Sequence, residues 1–447
     1  MKKFLLISIL TTLAAGSVFG QSVIQITSEE DMYQYGGFTP LCISPNGRYI
    51  GGCTFHGNAF IYDVQESKPV VFTEDMGSFF SESAQVLALT NEGVGFGFDD
   101  NGGCMFSADG GYKVVDGAND YPIITLDKCN DDGSVVVGYV ADKTFYSIPC
   151  YWENETRVVL PRPTDEELGF VTFGCQAIGI TGDGSIILGR FVDRSYTFPM
   201  VIWQLQSDGS YKYMPVSDGK FEPLNILQMD PADGSLSIYE RGDNPYLRYQ
   251  GCAISADGKY VAMIIQQNTD AVNPPLQLGI YTVATGELEV IPNNGALAEG
   301  GEFAINGISN SRDVVGNVGE PLEGMFPFVF TYQDKESKSF NVEFNDLPLM
   351  ATYQGWYEIG NNWLSTGITP DSQYIIGYII HPIEWAGIAY LINTGYENTG
   401  VQGVPIDPLK DGVVKYYSID GREHSVPVKG INIVKYPDGT IKKTIFQ

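Results

Sequence analysis

Between residues 37 and 392, apolar and polar positions alternate in short runs, and one arrangement returns seven times. Gly251-Cys252-Ala253-Ile254 ends a strand, Ser255-Ala256-Asp257-Gly258 turns, and Lys259-Tyr260-Val261-Ala262-Met263 begins the return strand. Serine supplies a capping oxygen, aspartate tolerates the turn, and glycine allows a positive φ. The other turns are Ser44-Pro45-Asn46-Gly47, Thr90-Asn91-Glu92-Gly93, Asn130-Asp131-Asp132-Gly133, Thr181-Gly182-Asp183-Gly184, Ser309-Asn310-Ser311-Arg312 and Thr369-Pro370-Asp371-Ser372. The last two lack the final glycine. Five copies share a glycine late in the second strand, namely Gly52, Gly138, Gly189, Gly316 and Gly377, which predicts a close approach of the neighbouring sheet there. A third strand rich in aromatics follows in each copy, as in Ala59-Phe60-Ile61-Tyr62 and Pro199-Met200-Val201-Ile202-Trp203. A fourth follows in most, as in Val70-Val71-Phe72 and Leu288-Glu289-Val290-Ile291.

Four antiparallel strands at a period of about 40 residues or more predict a propeller blade. A four-stranded sheet has two faces to cover, and stacking it between two like sheets covers both. A ring leaves no end repeat exposed. The expected fold is therefore all-β, a seven-bladed β-propeller with four antiparallel strands per blade and a small C-terminal β module. The insert at 216–248 leaves room for strands of its own and for one blade more or fewer. The last repeat lacks a fourth strand after Leu391-Ile392-Asn393, whereas Ser22-Val23-Ile24-Gln25-Ile26-Thr27 is an orphan. Residues 22–27 are thus expected to close the ring beside the third strand of the last blade. The domain plan is 1–20 signal peptide, 21–400 propeller and 401–447 C-terminal module.

The segments around Ile254-Ser255-Ala256-Asp257-Gly258 and Val135-Val136-Val137-Gly138, each leading to an aromatic third strand, resemble HAF-type and TolB-type propeller repeats. The resemblance covers most of residues 37–392 and speaks to architecture, not to activity. In the tail the balance of charge changes, with seven Lys or Arg against five Asp or Glu over residues 405–447. Its Asp420-Gly421-Arg422 turn, its Lys429-Gly430-Ile431-Asn432-Ile433-Val434 segment and its basic final strand resemble the type IX sorting domain of exported Bacteroidetes proteins. That resemblance implies delivery to the surface or medium. The plainer reading is a β appendage that packs on the propeller.

Met1-Lys2-Lys3, an apolar run from Phe4 to Ala15 and small residues up to Gly20 read as a secretory signal cleaved before Gln21. No cysteine follows the run, so a lipoprotein anchor is not expected, and no later stretch is long and apolar enough to span a bilayer. The expected location is outside the inner membrane: periplasmic, cell-surface or extracellular. The chain carries 26 Lys and Arg against 54 Asp and Glu, a net charge of −28. That excludes nucleic acid and anionic membranes as expected partners, because both require a basic face. The seven cysteines form neither a disulfide framework nor a CxxC pattern. Cys129 stands where other repeats have Ile43, Leu89, Ile180, Ile254, Ile308 and Ile368, which predicts a buried free thiol.

In a propeller blade the first-to-second strand turns share one face. The second-to-third loops and the crossings between blades share the other. Here the first set is uniformly tight and the second long and variable, so function is expected on the long-loop face. The longest crossing, into repeat five, holds Tyr239 and Tyr246; the crossing into repeat seven holds Tyr353, Trp356, Tyr357 and Trp363; the second-to-third loops add Tyr146, His381 and Trp385. Flat rings beside polar groups suit a glycan or peptide ligand, and the competing reading is that these rings plug the propeller mouth. Three histidines, none at metal-ligand spacing, argue against zinc, and no nucleophile elbow or phosphate loop is present. An enzyme would draw on Glu240, Asp243, Glu358 or Glu384 as a carboxylate pair for glycan hydrolysis or elimination. No cofactor is expected. Calcium at Asp99-Asp100 or Asp131-Asp132 is the one ion considered, and solvated turns explain those pairs more simply. Ser107-Ala108-Asp109-Gly110-Gly111 reads as a turn, not an Asp box, and Arg241-Gly242-Asp243 as a chance tripeptide. Binding of a glycan or peptide is the leading expectation. A glycan-active enzyme and a structural module of a surface complex are the alternatives, with the chain a monomer or part of such a complex.

Overall fold

The computed structural model describes residues 22–72, 84–117, 121–144, 146–168, 172–192, 200–215, 226–229, 236–239, 246–267, 275–298, 302–320, 324–339, 363–380, 386–395, 415–418, 423–424, 430–435 and 441–446. Seven four-stranded antiparallel sheets make seven blades. Their inner strands are Phe38–Ile43, Gln85–Leu89, Ile123–Cys129, Cys175–Ile180, Tyr246–Ile254, Glu302–Ile308 and Trp363–Ile368. Each is followed in register by a second, a third and an outer strand, except that blade seven takes its outer strand from Ser22–Gln25. The insert before blade five forms a hairpin of its own, Ile226–Met229 with Leu236–Tyr239. The blade count is therefore seven, with the hairpin outside it.

The core is distributed. Seven apolar clusters occupy the seven inter-blade layers, for example Val137 and Leu160 of blade three against Ile187 and Trp203 of blade four. Alternation along each strand puts one set of side chains toward the preceding blade and the other toward the following one. The large third-strand rings fill these layers. Trp152 and Trp203 are fully buried, and the Trp152 indole donates to Asp116 Oδ2 at 2.8 Å.

The turn motif does two jobs. Its first residue is buried in all seven copies. The oxygen of Ser44, Thr181, Ser255 and Thr369 accepts the N–H five residues on, at 2.9 to 3.1 Å. The turns also bond to one another around the ring. Asn46 N–H donates to Asn91 Oδ1, Asp131 N–H to Gly182 O, Gly182 N–H to Ala256 O, Asp257 N–H to Asn310 Oδ1 and Asn310 N–H to Pro370 O. Two layers are closed by glycine instead. A Cβ on Gly47 would stand 2.3 Å from the Tyr374 ring, and one on Gly133 2.8 Å from Thr90 Cγ2. In the degenerate turns Arg312 and Ser372 still take φ of 71° and 63°. Arg312 is held over the Tyr332 ring at 3.5 Å, and Ser372 Oγ donates to the buried Asp313 at 2.7 Å.

Every inner strand carries a β-bulge at one level, at Leu41, Leu87, Asp127, Ile178, Cys252, Asn306 and Thr366. This corrects the reason for the second-strand glycines. They face the bulge of their own sheet, not a neighbouring sheet: a Cβ on Gly138 would lie 2.0 Å from Thr125 O and one on Gly52 2.2 Å from Thr39 O. Gly97 is a sixth member. In blade five Met263 takes the position and the glycine moves across the ladder to Gly251.

Ring closure follows the expected pairing. Ser22 to Gln25 lie antiparallel to Asn393 to Tyr390. Thr27 Oγ1 donates to Gly387 O and accepts Ala389 N–H. Val23, Ile24 and Ile26 enter the layers on either side of the last blade. The helix Glu29–Tyr35 follows, capped by Ser28 and Asp31.

Residues 399–447 form a separate compact unit from residues 1–398. It is a four-stranded sheet in the order Glu423–His424, Lys415–Ser418, Gly430–Lys435, Ile441–Phe446. Among the described residues no helix is long and apolar enough to cross a membrane.

Candidate functional site

Strand direction fixes the two ends of the ring. Inner strands run toward the tight turns, so second-to-third loops and inter-blade crossings meet at the opposite end. On that long-loop end Tyr146 closes the loop after Val135–Ala141. Its N–H donates to Asp142 Oδ1, which also accepts Thr144 N–H at 2.8 Å and the Thr144 hydroxyl. The Thr144 hydroxyl bond and the two backbone bonds hold the exposed Asp142 carboxyl below its ordinary value. The Arg162 guanidinium stands 5.2 Å from the Tyr146 ring, within cation–π range. Arg162 is itself held by Thr172 Oγ1 at 3.3 Å and Asp165 at 3.7 Å.

Beside them Phe173 is 38% exposed. Its backbone is locked between Ser147 N–H and Val192 O, and Gly174 lies so close to Ser147 O that a Cβ there would overlap it. The ring is therefore presented on a rigid support. At the junction of blades seven and one, the same end carries Tyr33 at 74% exposure on the helix Glu29–Tyr35 and Phe55 at 42% in the loop after Tyr49–Thr54. His56 N–H donates to Tyr35 O, which ties that loop to the helix.

Of the rings named from sequence, Tyr146 is where it was expected. Trp363 is not in a crossing: it is the first residue of the inner strand of blade seven. Tyr246 likewise opens the inner strand of blade five, and Tyr239 ends the insert hairpin. These two strands are longer at the loop end than the turn-based repeat shows. Tyr353, Trp356, Tyr357, His381 and Trp385 lie outside the described residues, as do Glu240, Asp243, Glu358 and Glu384 and the Arg241-Gly242-Asp243 tripeptide. The described strand ends Ser339 and Trp363, and Ile380 and Gly387, bracket two of those segments, and all four are at the long-loop end. Sequence reasoning missed Tyr33, Phe55, Arg162 and Phe173, although Phe173 falls in a crossing and was legible as such.

The axis of the ring offers a second environment. At the tight-turn end a cavity of about 190 Å³ is ringed by Ile43, Leu89, Ile180, Ile254, Ile308 and Ile368. Cys129 completes this ring. It is the expected free thiol and packs against the apolar layer between blades two and three, but it is half-buried instead of buried because it also lines the cavity. Deeper in, the lining turns partly polar, with Asn306 and Thr366 at the bulges and the exposed Lys128 between the bulge Asp127 and Cys129. Asp127 at that level is half-buried, and burial pushes its carboxyl up to about 6, against the opposing pull of Thr125, Lys128 and Arg190.

Cys42, Cys53, Cys104, Cys129, Cys150 and Cys175 carry no disulfide, and burial pushes the Cys42 and Cys150 thiols up to about 12. The Asp99 carboxylate is taken up by donors, accepting Asn101 N–H, Asn101 Nδ2, Cys104 Sγ and the Tyr112 hydroxyl. Among the described residues no three His, Cys, Asp or Glu side chains gather as metal ligands would. Ser107 to Gly111 form the expected turn, closed by Gly110 N–H to Ser107 O.

No protein-family model and no curated protein matches the chain. Solved structures do. An oligogalacturonate lyase from Vibrio parahaemolyticus superposes with a TM-score of 0.50 at 13% identity, over 83% of this chain and 93% of that one. An oligogalacturonate lyase in complex with manganese gives 0.49 at 13% identity, over 85% and 94%. TolB from Acinetobacter baumannii gives 0.37 at 13% identity, over 67% and 62%. At such identities the likeness is one of fold.

Proposed function

We propose that this chain is an exported binding protein that holds a glycan or peptide on the long-loop face of its propeller. One observation carries the reading: the two ends of the ring are built differently. The tight-turn end is bonded turn to turn around most of its circumference. The other end presents Tyr33, Phe55 and Phe173 to solvent, with Tyr146 and its stacked Arg162 beside Phe173. Exposed rings on rigid supports cover the apolar face of a sugar or an extended peptide at little entropic cost, and the arginine adds a donor for a carboxylate or hydroxyl. Export rests on the leader-like residues 1–20, and surface delivery on the resemblance of the tail to a sorting domain.

The test is a glycan and peptide array probed with residues 21–447. The expected result is a ligand whose affinity falls about tenfold in Tyr146→Ala and in Phe173→Ala, and falls again in Trp356→Ala and Trp385→Ala. Binding unchanged in all four variants would remove this face from the site. The array includes oligogalacturonate, because a protein of this fold is named as a lyase of it. Release of unsaturated product would move the reading from binding to catalysis and direct attention to Glu240, Asp243, Glu358 and Glu384. No ligand from either class would leave the surface-complex reading.

A further inference from the structure

At the tight-turn end one contact recurs from blade to blade. In every turn the N–H of the first residue donates to a carbonyl on the return, as Ser44 does to Tyr49 and Thr90 to Val94. In six layers the side chain of that accepting residue stands against the fourth turn residue of the next blade. Tyr374 meets Gly47, Tyr49 meets Gly93, Val135 meets Gly184 and Ile186 meets Gly258. At the degenerate turns Arg312 lies over the Tyr260 ring at 4.9 Å, and Ser372 donates to Asp313. The layer between blades two and three departs from this. Its accepting residue is Val94, and the atoms nearest a Cβ on Gly133 belong to Thr90 and Phe96 instead. A cavity of about 200 Å³ lies in this layer. Gly133 and Asn154 bound it. By strand register these are the counterparts of Gly93 and Ala108, and in the layer before, the Tyr49 ring and Ala108 Cβ each come within 2.9 Å of a Cβ on Gly93. The cavity is thus found where the preceding layer holds a tyrosine ring.

Its walls Phe96, Leu126, Val136 and Trp152 are buried, whereas Ser134, Asn154 and Glu155 on its lining are exposed and form its mouth. A cavity of about 150 Å³ with apolar walls holds benzene, so this one has room for a ring with two small substituents. We propose that it binds a single-ring phenol, with the ring against Phe96 and Trp152 and the hydroxyl at the mouth. Aromatic walls favour a flat ring. The Glu155 carboxylate is bonded across the layer to Lys113 of blade two, and a carboxylate can accept further bonds beside that one, so it can take the phenol hydroxyl. An aryl carboxylate would set its own charge against Glu155 and lose its hydration as well.

The test is calorimetric titration of the full chain with phenol, 4-methylphenol and 4-methylbenzoate. It is independent of the glycan or peptide site, which is proposed for the other end of the ring. 4-Methylphenol is expected to bind saturably at one site, about fourfold more tightly than phenol for one buried methyl, and more tightly than 4-methylbenzoate by about tenfold or more. Val94→Tyr restores the side chain of the preceding layer and should abolish binding. Met105→Trp fills the cavity from its lining and should do the same, so either variant serves if the other fails to fold. Circular dichroism melts show which are folded. Glu155→Gln should narrow the gap between the phenol and the benzoate. Three outcomes overturn the proposal: no saturable binding of either phenol, 4-methylphenol binding unchanged in a folded filling variant, or 4-methylbenzoate binding as tightly as 4-methylphenol.

Discussion

At six inner-strand bulges a glycine stands on the neighbouring strand, and at the seventh the glycine has changed strands. A bulge crowds two residues against one partner, so a carbonyl is driven toward the facing Cα. A side chain has room on one strand only if the other gives way. Gly138 has no positive φ to defend, only the 2.0 Å approach of Thr125 O. Gly138→Ala is therefore expected to cost about 3 kcal/mol or more in denaturant unfolding. Gly209, at φ 83° with open space around its Cα, is the contrasting case. Gly209→Ala should cost about 1–2 kcal/mol, the price of a left-handed alanine alone. Equal losses in the two would refute the steric account. Asp127 makes a second residue-scale prediction. Its folded value of about 6 lies above the ordinary aspartate range, so its ionised form is disfavoured by folding. The penalty is full above pH 6, shrinks as pH falls through 6, and is gone below about pH 4. Asp127→Asn should thus raise stability at pH 8, by up to about 3 kcal/mol, and leave it unchanged at pH 4. Melting curves across that range check the sign.

At the scale of elements, the N-terminal strand is the one whose partner is farthest away in sequence. Ser22–Gln25 adds backbone bonds to Gly387–Asn393, and Thr27 adds two more at the edge. Its apolar residues also complete two layers, through Val23 on one side and Ile24 and Ile26 on the other. Removing residues 22–27 should lower the melting temperature by several degrees or more. It should also expose the amides of Tyr374–Ile380 and Gly387–Asn393 to hydrogen exchange before those of the other blades. Uniform exchange across all blades would show that the strand is decorative. Its pairing was legible because one repeat lacked a fourth strand and one strand lacked a repeat. The insert hairpin was not, because Ile226–Met229 and Leu236–Tyr239 are too short to separate from a loop by alternation. Trp363 was misplaced for a related reason. The turn motif fixes where an inner strand ends and says nothing of where it begins.

For the whole molecule, the core is seven thin layers instead of one interior, so each blade is covered by both neighbours and closure leaves no blade with an open face. Closure also creates the two unlike ends. The hairpin turns are short enough to bond to each other, which leaves the crossings free to vary. The array test of the aromatic variants belongs to this scale, since Tyr146 and Phe173 flank a junction between two blades that only the ring brings together. Lys128, Thr366 and Ile254 lie on blades three, seven and five and share a cavity only because the inner strands meet at one axis.

The sequence alone determined the repeat, the turn chemistry, the number of blades to within one and the strand that closes them, because these depend on local alternation and on which hydrogen-bonding edges lack partners. It also located Tyr146. Tertiary structure decided which side the second-strand glycines face, and that Cys129 lines the axial cavity as well as packing against the apolar layer between blades two and three. Each of these depends on a bulge and on closure about an axis. A bulge shifts register by one residue without changing composition, and an axis joins residues hundreds of positions apart that no local pattern relates.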